Sequence, residues 1–223
     1  MKKVGLITIG QAPRMDIGPI IETYLDGRAE LVQVGVLDGM AQKDIQDKLS
    51  PGPGEYVLTS RLLDGSPVVM SRESIQPILQ EKIRDMESRG ISTTLLLCTG
   101  VFPGLHTERT VLVEPDQMLP PVIAGITKGR RLGVLVPLAE QVESLREKYT
   151  PHGLNPAFAV ASPFKLDADT YRKAVAPLQD HVDILLLDCM GYTEEARQLV
   201  SDLTALPVIL SSALMAKILS EMI

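Results

Sequence analysis

Short apolar runs alternate with longer amphipathic stretches along the whole chain. The first run, residues 4–9, closes on Gly10 and predicts a buried strand, with a helix over 16–25 behind it. Residues 30–37 read as a second strand with Val32, Val34 and Val36 on one face. A short polar helix over 41–49 is stopped by Pro51-Gly52-Pro53-Gly54. Residues 55–60 and 68–71 flank Leu63-Asp64-Gly65-Ser66, where Asp-Gly supplies the positive φ of a tight turn, so a hairpin is predicted. Ser71 or Ser74 caps a helix that runs to Arg89 and stops at Gly90.

The alternation then continues. Strands are predicted over 92–97, 111–113, 131–136, 156–161, 183–187 and 208–210, and helices over 116–127, 138–149, 166–179, 193–203 and 212–222. Strands spaced by helices of this length predict an α/β fold with parallel sheets, and near-continuous apolar strands mean that both faces are covered. The chain also echoes itself. Lys3-Val4-Gly5-Leu6-Ile7-Thr8 resembles Arg131-Leu132-Gly133-Val134-Leu135-Val136, and the run 93–98 resembles 183–189. The echo predicts two similar lobes, each with a cysteine just past a buried strand; the alternative is that any α/β protein repeats such strands.

Composition narrows the function. At 223 residues the chain makes one large domain or two small ones. Apolar residues at 45% exclude a disordered chain. Lys+Arg 22 against Asp+Glu 28 leaves −6, which argues against a nucleic-acid partner, and aromatics at 4% with no Trp offer no base-stacking platform. No apolar run approaches the roughly 20 residues of a membrane span, so no membrane partner is expected. The apolar start is too short for a signal peptide and leads into Gly10-Gln11-Ala12-Pro13-Arg14. A reducing cytoplasm, with both cysteines as thiols, is the expected setting.

The candidate chemistry sits at strand ends, where open parallel sheets bind ligands. Cys98-Thr99-Gly100 and Cys189-Met190-Gly191 both fall there. A helix starting near Thr193 aims its positive end at Cys189 and is expected to hold that thiol below its free pKa of about 8.5. A single cysteine in such a place is more often a small core hydrophobe; two in corresponding places point to function. No CxxC or HExxH occurs and His106, His152 and His181 are scattered, so no metal is expected. The loop after the first strand lacks GxGxxG, so no dinucleotide is expected either.

In that loop Arg14 can fork onto a substrate carboxylate or serve as a surface arginine. Gln11 reads as a hydrogen-bond donor to substrate or a loop tie. Thr8 touches the ligand or packs in its strand. Asp16 caps the next helix or orients Arg14. His106 is a candidate base for Cys98, with a solvated side chain as the alternative.

The opening strand with 10–14, the Cys98-Thr99-Gly100 turn, the strand around 132–135, Cys189 with Gly191, and Leu206-Pro207-Val208-Ile209 together resemble the aspartate/glutamate/hydantoin racemase superfamily. Within it the chain is most similar to the AroM protein family. The resemblance spans essentially the whole chain and implies two Rossmann-like, flavodoxin-like lobes related by a pseudo-twofold axis. Residues 1–98 with 209–223 would form one lobe and 99–208 the other, the last helix returning to the first lobe. The implied site is the inter-lobe cleft, with Cys98 and Cys189 as paired acid and base and no cofactor. Backbone N–H groups beside Gly100 and Gly191, with Thr99, Tyr192 and Thr193, would hold the substrate carboxylate. The superfamily places Asn after the first cysteine and Thr after the second; here Thr99 and Met190 stand there. The expected function is a cofactor-independent racemase or isomerase of a small carboxylate. The alternatives are a metabolite-binding protein on the same scaffold and a one-cysteine decarboxylase or lyase. A homodimer is the base-rate expectation.

Overall fold

The computed structural model describes residues 1–223. In chain order the elements are β1 (Lys2–Thr8), α1 (Gly18–Leu25), β2 (Ala29–Gly35), α2 (Gln42–Leu49), β3 (Val57–Arg61), β4 (Pro67–Ser71), α3 (Arg72–Ser88), β5 (Thr93–Leu97) and β6 (Val111–Val113). They continue as α4 (Pro115–Thr127), β7 (Leu132–Val136), α5 (Val142–Tyr149), β8 (Ala157–Val160), α6 (Ala168–Val175), β9 (Ile184–Leu187), α7 (Glu194–Thr204), β10 (Val208–Leu210) and α8 (Ser211–Ser220). The first parallel sheet has the order β2-β1-β5-β6 and the second β10-β9-β7-β8. Counted from its own first strand, each sheet runs second, first, third, fourth, so the repeat read in the sequence is a repeat of topology. The fold is the expected α/β arrangement of two parallel-sheet lobes.

Apolar faces explain the layers. On α3, Ile75, Leu79, Ile83 and Met86 recur at helical spacing and are fully buried against one side of the first sheet. Ser71 caps this helix by accepting from the Ser74 N–H at 3.3 Å. On the other side, α1 packs with α8, whose Met215, Ala216 and Leu219 join Val4, Leu6, Ile17 and Ile21 in one core. Arg28 Nη1 fastens the end of α8 by donating to the Ser220 carbonyl at 2.9 Å. The second sheet carries α6 and α7 on one face, and α4 and α5 on the other.

The hairpin β3–β4 stands apart as a two-stranded antiparallel sheet, with Gly65 at φ +85° in its turn. Several predicted helix ends shift by a few residues: α6 is Ala168–Val175 where 166–179 was expected, α5 starts at Val142 where 138 was expected, and α8 is Ser211–Ser220 where 212–222 was expected. The first helix begins at Gly18, not at residue 16, because the Asp16 carboxylate is engaged by Arg14 and Arg61 and does not cap it.

Candidate active site

The carboxyl ends of β1, β5, β7 and β9 converge on one narrow cavity of about 30 Å³. Arg14 reaches it from the loop after β1, Pro137 from the end of β7, and the two cysteine turns from β5 and β9. The hairpin covers it with Leu58, Thr59 and Ser60, and Tyr56 and Phe164 complete the cover. A cavity this size holds about two waters.

The two cysteine turns share a geometry. The Gly100 N–H donates to Cys98 Sγ at 3.3 Å, and the Gly191 N–H donates to Cys189 Sγ at 3.3 Å. Each glycine also admits a close neighbour. A Cβ at Gly100 would lie 2.5 Å from Leu58 Cδ2, and one at Gly191 would lie 2.9 Å from Phe164 Cε1. The expectation that these glycine amides hold substrate therefore changes, because both are spent on sulfur and favour thiolates. Both thiols are free. Burial pushes the Cys98 thiol far above its ordinary range, against the Gly100 amide and Lys148. Burial raises Cys189 to about 11, against the Gly191 amide and Arg14. The expected lowering at Cys189 is thus reversed: desolvation outweighs every nearby positive group.

Arg14 is only 4% exposed and is held on one edge by Asp16, Nε to Oδ1 at 2.8 Å and Nη2 to Oδ2 at 2.8 Å. Its Nη1 donates to Thr8 Oγ1 at 3.2 Å. Of five guanidinium N–H donors, two remain for a ligand, so the fork read from the sequence is half occupied from within. Asp16 takes the orienting role. Burial opposes ionisation of its carboxyl, but hydrogen bonding and charge from Arg14 hold its pKa below the usual value.

The structure brings Arg14, Cys98, Thr99, Gly100, Cys189 and Gly191 to the cavity wall and leaves the other candidates off it. Thr8 lies beneath, accepting from Arg14 and from the Gly10 N–H. Gln11 ties loops together, donating to the Leu37 and Met40 carbonyls and accepting from the Leu63 N–H. Tyr192 is wholly buried, its hydroxyl donating to the Ala161 carbonyl at 2.6 Å. Thr193 precedes α7 and lines a separate surface groove. His106 is exposed and exchanges backbone hydrogen bonds with the Gln80 side chain.

A buried ion pair was not foreseen. Lys148 Nζ lies 2.8 Å from Asp188 Oδ2, with both side chains at most 2% exposed. The same Oδ2 accepts from the Tyr149 hydroxyl at 2.9 Å. Lys148 Nζ also donates to the Thr99 carbonyl at 3.0 Å, and Thr99 Oγ1 donates to the Asp188 carbonyl at 3.3 Å. This network joins the two cysteine turns. Its one trace in the sequence is Asp188 itself, an acid ending the apolar run Ile184-Leu185-Leu186-Leu187. Tyr56 and Gln141 were missed too. Gln141 Nε2 donates to the Val57 carbonyl at 3.1 Å and so links the second lobe to the hairpin. Burial raises the Tyr56 phenol to about 12.

The AroM protein family model matches residues 4–223. The chain belongs to that family. Among curated proteins none matches it. Among solved structures it is similar to Picrophilus torridus aspartate racemase, with 15% identity, a TM-score of 0.62, and coverage of 100% of this chain and 94% of that one. It is similar to glutamate racemase from Aquifex pyrophilus at 16% identity and TM-score 0.62, covering 99% and 84%. Allantoin racemase from Klebsiella pneumoniae matches at 14% identity and TM-score 0.59, covering 100% and 87%. At such identities the likeness is one of fold. The two-lobe architecture of this AroM-family chain is therefore the racemase fold. No helix is long and apolar enough to cross a membrane.

Proposed function

We propose that the protein is a cofactor-independent racemase or isomerase of a small carboxylate, with Cys98 and Cys189 as its paired acid and base. One observation carries the reading: the two cysteines, one from each turn, line a single cavity, each sulfur accepting from its own glycine N–H. Exchanging a proton between the two faces of one carbon needs two acid/base groups of like strength, and a thiolate opposite a thiol is such a pair. In one direction a Cys98 thiolate removes the proton and the Cys189 thiol returns one; the reverse direction swaps the roles. Arg14 keeps two N–H donors for the carboxylate as it takes on enolate charge. The amides of Thr99 and Met190, on the same wall, make no hydrogen bond within the chain and add donors there. Similarity in fold to amino-acid and allantoin racemases supports the reaction class.

A substrate larger than two waters enters only if the cover opens, so the reading includes a movement of the hairpin or the lobes. The lobe division expected from the sequence sets 1–98 with 209–223 against 99–208. The pairing of β6 with β5 and of β10 with β9 argues for moving its boundaries past residues 113 and 210. A reducing cytoplasm and a homodimer complete the proposal.

The test is loss of the α-proton signal from candidate carboxylic acids in deuterated water. Cys98→Ser and Cys189→Ser should each lower racemisation by at least about a hundredfold. Full activity in either variant removes the two-base scheme.

A further inference from the structure

The N–H that donates to Cys98 Sγ at 3.3 Å belongs to the Thr99–Gly100 peptide. The carbonyl of that same peptide, Thr99 O, accepts from Lys148 Nζ at 3.0 Å. One planar unit therefore carries a cation on its oxygen and a thiol on its nitrogen. A charge drawn to the oxygen polarises the unit and makes its N–H a stronger donor. The bond also fixes the plane, so that the N–H stays aimed at sulfur. The Cys189 turn has no counterpart. Its Gly191 N–H donates to sulfur too, but the Met190 carbonyl behind it accepts no hydrogen bond within the chain.

Resting on the two-cysteine reading above, we infer that Lys148 is a positioning residue for Cys98: through the Thr99–Gly100 peptide it aims and strengthens the donor that faces the Cys98 thiolate. Asp188 and Tyr149 are its anchor. Asp188 Oδ2 accepts from Lys148 Nζ and from the Tyr149 hydroxyl, which keeps the ammonium on the Thr99 carbonyl. A buried ion pair often adds little beyond what packed apolar side chains would give, so stability alone does not account for one placed behind a cysteine turn.

The surrounding charges agree. Cys189 and Asp116 work against the Cys98 thiolate, and Lys148 works for it. Arg14 works in the same sense on Cys189. Each sulfur is thus served by a cation from the opposite lobe: Cys98 after β5 by Lys148 on α5, and Cys189 after β9 by Arg14 in the loop after β1. Bringing the lobes together assembles both arrangements.

The experiment uses the full chain and iodoacetamide, whose iodide is displaced by thiolate and not by thiol, so that the rate follows the thiolate fraction. Rates at Cys98 and Cys189 are read separately by mass spectrometry between about pH 7 and 9. Lys148→Met combined with Asp188→Asn removes the cation without stranding the acid. In that double variant Cys98 should be alkylated about tenfold more slowly, the loss of thiolate expected when a nearby opposite charge goes, while Cys189 should not slow. Lys148→Arg, which keeps a charge and donors, should hold the Cys98 rate within about threefold of the wild type. In isotope-labelled protein the Gly100 amide NMR signals should move upfield in the double variant, and those of Gly191 should stay in place. The inference falls if the Cys98 rate is unmoved, if both cysteines slow alike as in a merely loosened site, or if the Gly100 amide does not respond. None of these readouts needs a substrate. A failed relay with α-proton exchange intact would spare the two-cysteine reading, and a working relay with no exchange in any carboxylic acid would sink that reading alone.

Discussion

Replacing Lys148 by methionine removes one charge and keeps the length of the side chain. What remains is the Asp188 carboxylate, 0% exposed, with the Tyr149 hydroxyl as its one side-chain donor. Breaking a buried pair from one side costs about 3–5 kcal/mol, because a charge is stranded away from water. The Thr99 carbonyl loses its 3.0 Å bond to the ammonium at the same time. Set against a typical total of about 5–15 kcal/mol, Lys148→Met removes a large share of the stability. For a chain of this size that is a fall in Tm of roughly 6–20 °C.

The assay is urea unfolding of the wild type, Lys148→Met, Asp188→Asn and the double variant. If a stranded charge is the cause, removing it restores stability. The double variant should then regain at least about 2 kcal/mol relative to Lys148→Met alone. A loss below about 1 kcal/mol in Lys148→Met, or additive losses in the double variant, would refute the reasoning. The pair would then be solvated in solution and would not join the cysteine turns.

Other consequences are as direct. Burial places the Cys189 thiol near 11 and Cys98 higher, so the unliganded protein holds little thiolate at neutral pH. Exchange measured as kcat/KM should rise about tenfold per pH unit from pH 7 to about 10, and a plateau below pH 8 would mean that the thiols titrate in a wetter site. Glu114 has its carboxyl raised to about 7, mainly by burial and also by Asp116. Its folded-state pKa lies above the unfolded one, so its contribution is fully present below about 4.5 and is lost as pH climbs through 7. Glu114→Gln should therefore flatten the stability curve between those limits by about 1–2 kcal/mol after discounting for solvent, as read by urea titrations at pH 5 and 8. A Cβ at Gly10 would collide with the Arg61 carbonyl oxygen and Ser60 Oγ, so Gly10→Ala should lift the hairpin. We expect a lower urea midpoint, by about 1–3 kcal/mol, together with loss of exchange; an unchanged midpoint would show that the hairpin is not packed on this loop.

The limits of what could be read from residue order have a physical pattern. Strand and helix order was legible because burial on both sheet faces forces continuous apolar runs, and Gly90 and the Asp64-Gly65 turn mark their ends. The two lobes were legible because a repeated topology repeats its strands. Cys98 and Cys189 could be placed for the same reason, since a residue ending a parallel strand lies at the edge where two such sheets meet. Burial inverted the inference from that placement. The closing of the two lobes that brings the sulfurs to one cavity also removes the water that would stabilise thiolates, and no local motif encodes how tightly two lobes close.

Side chains whose partners are distant in sequence were misread or missed. Gln11 and Tyr192 look available in the chain, yet one is spent on Leu37, Met40 and Leu63 and the other on Ala161. Lys148 and Asp188 are forty positions apart, and only tertiary contact makes them a pair. A lone acid at the end of an apolar strand nevertheless demands a buried partner. Asp188 beside Cys189 thus required a cation within reach in the second lobe, and Lys148, 2.8 Å away and likewise shut off from water, is that cation.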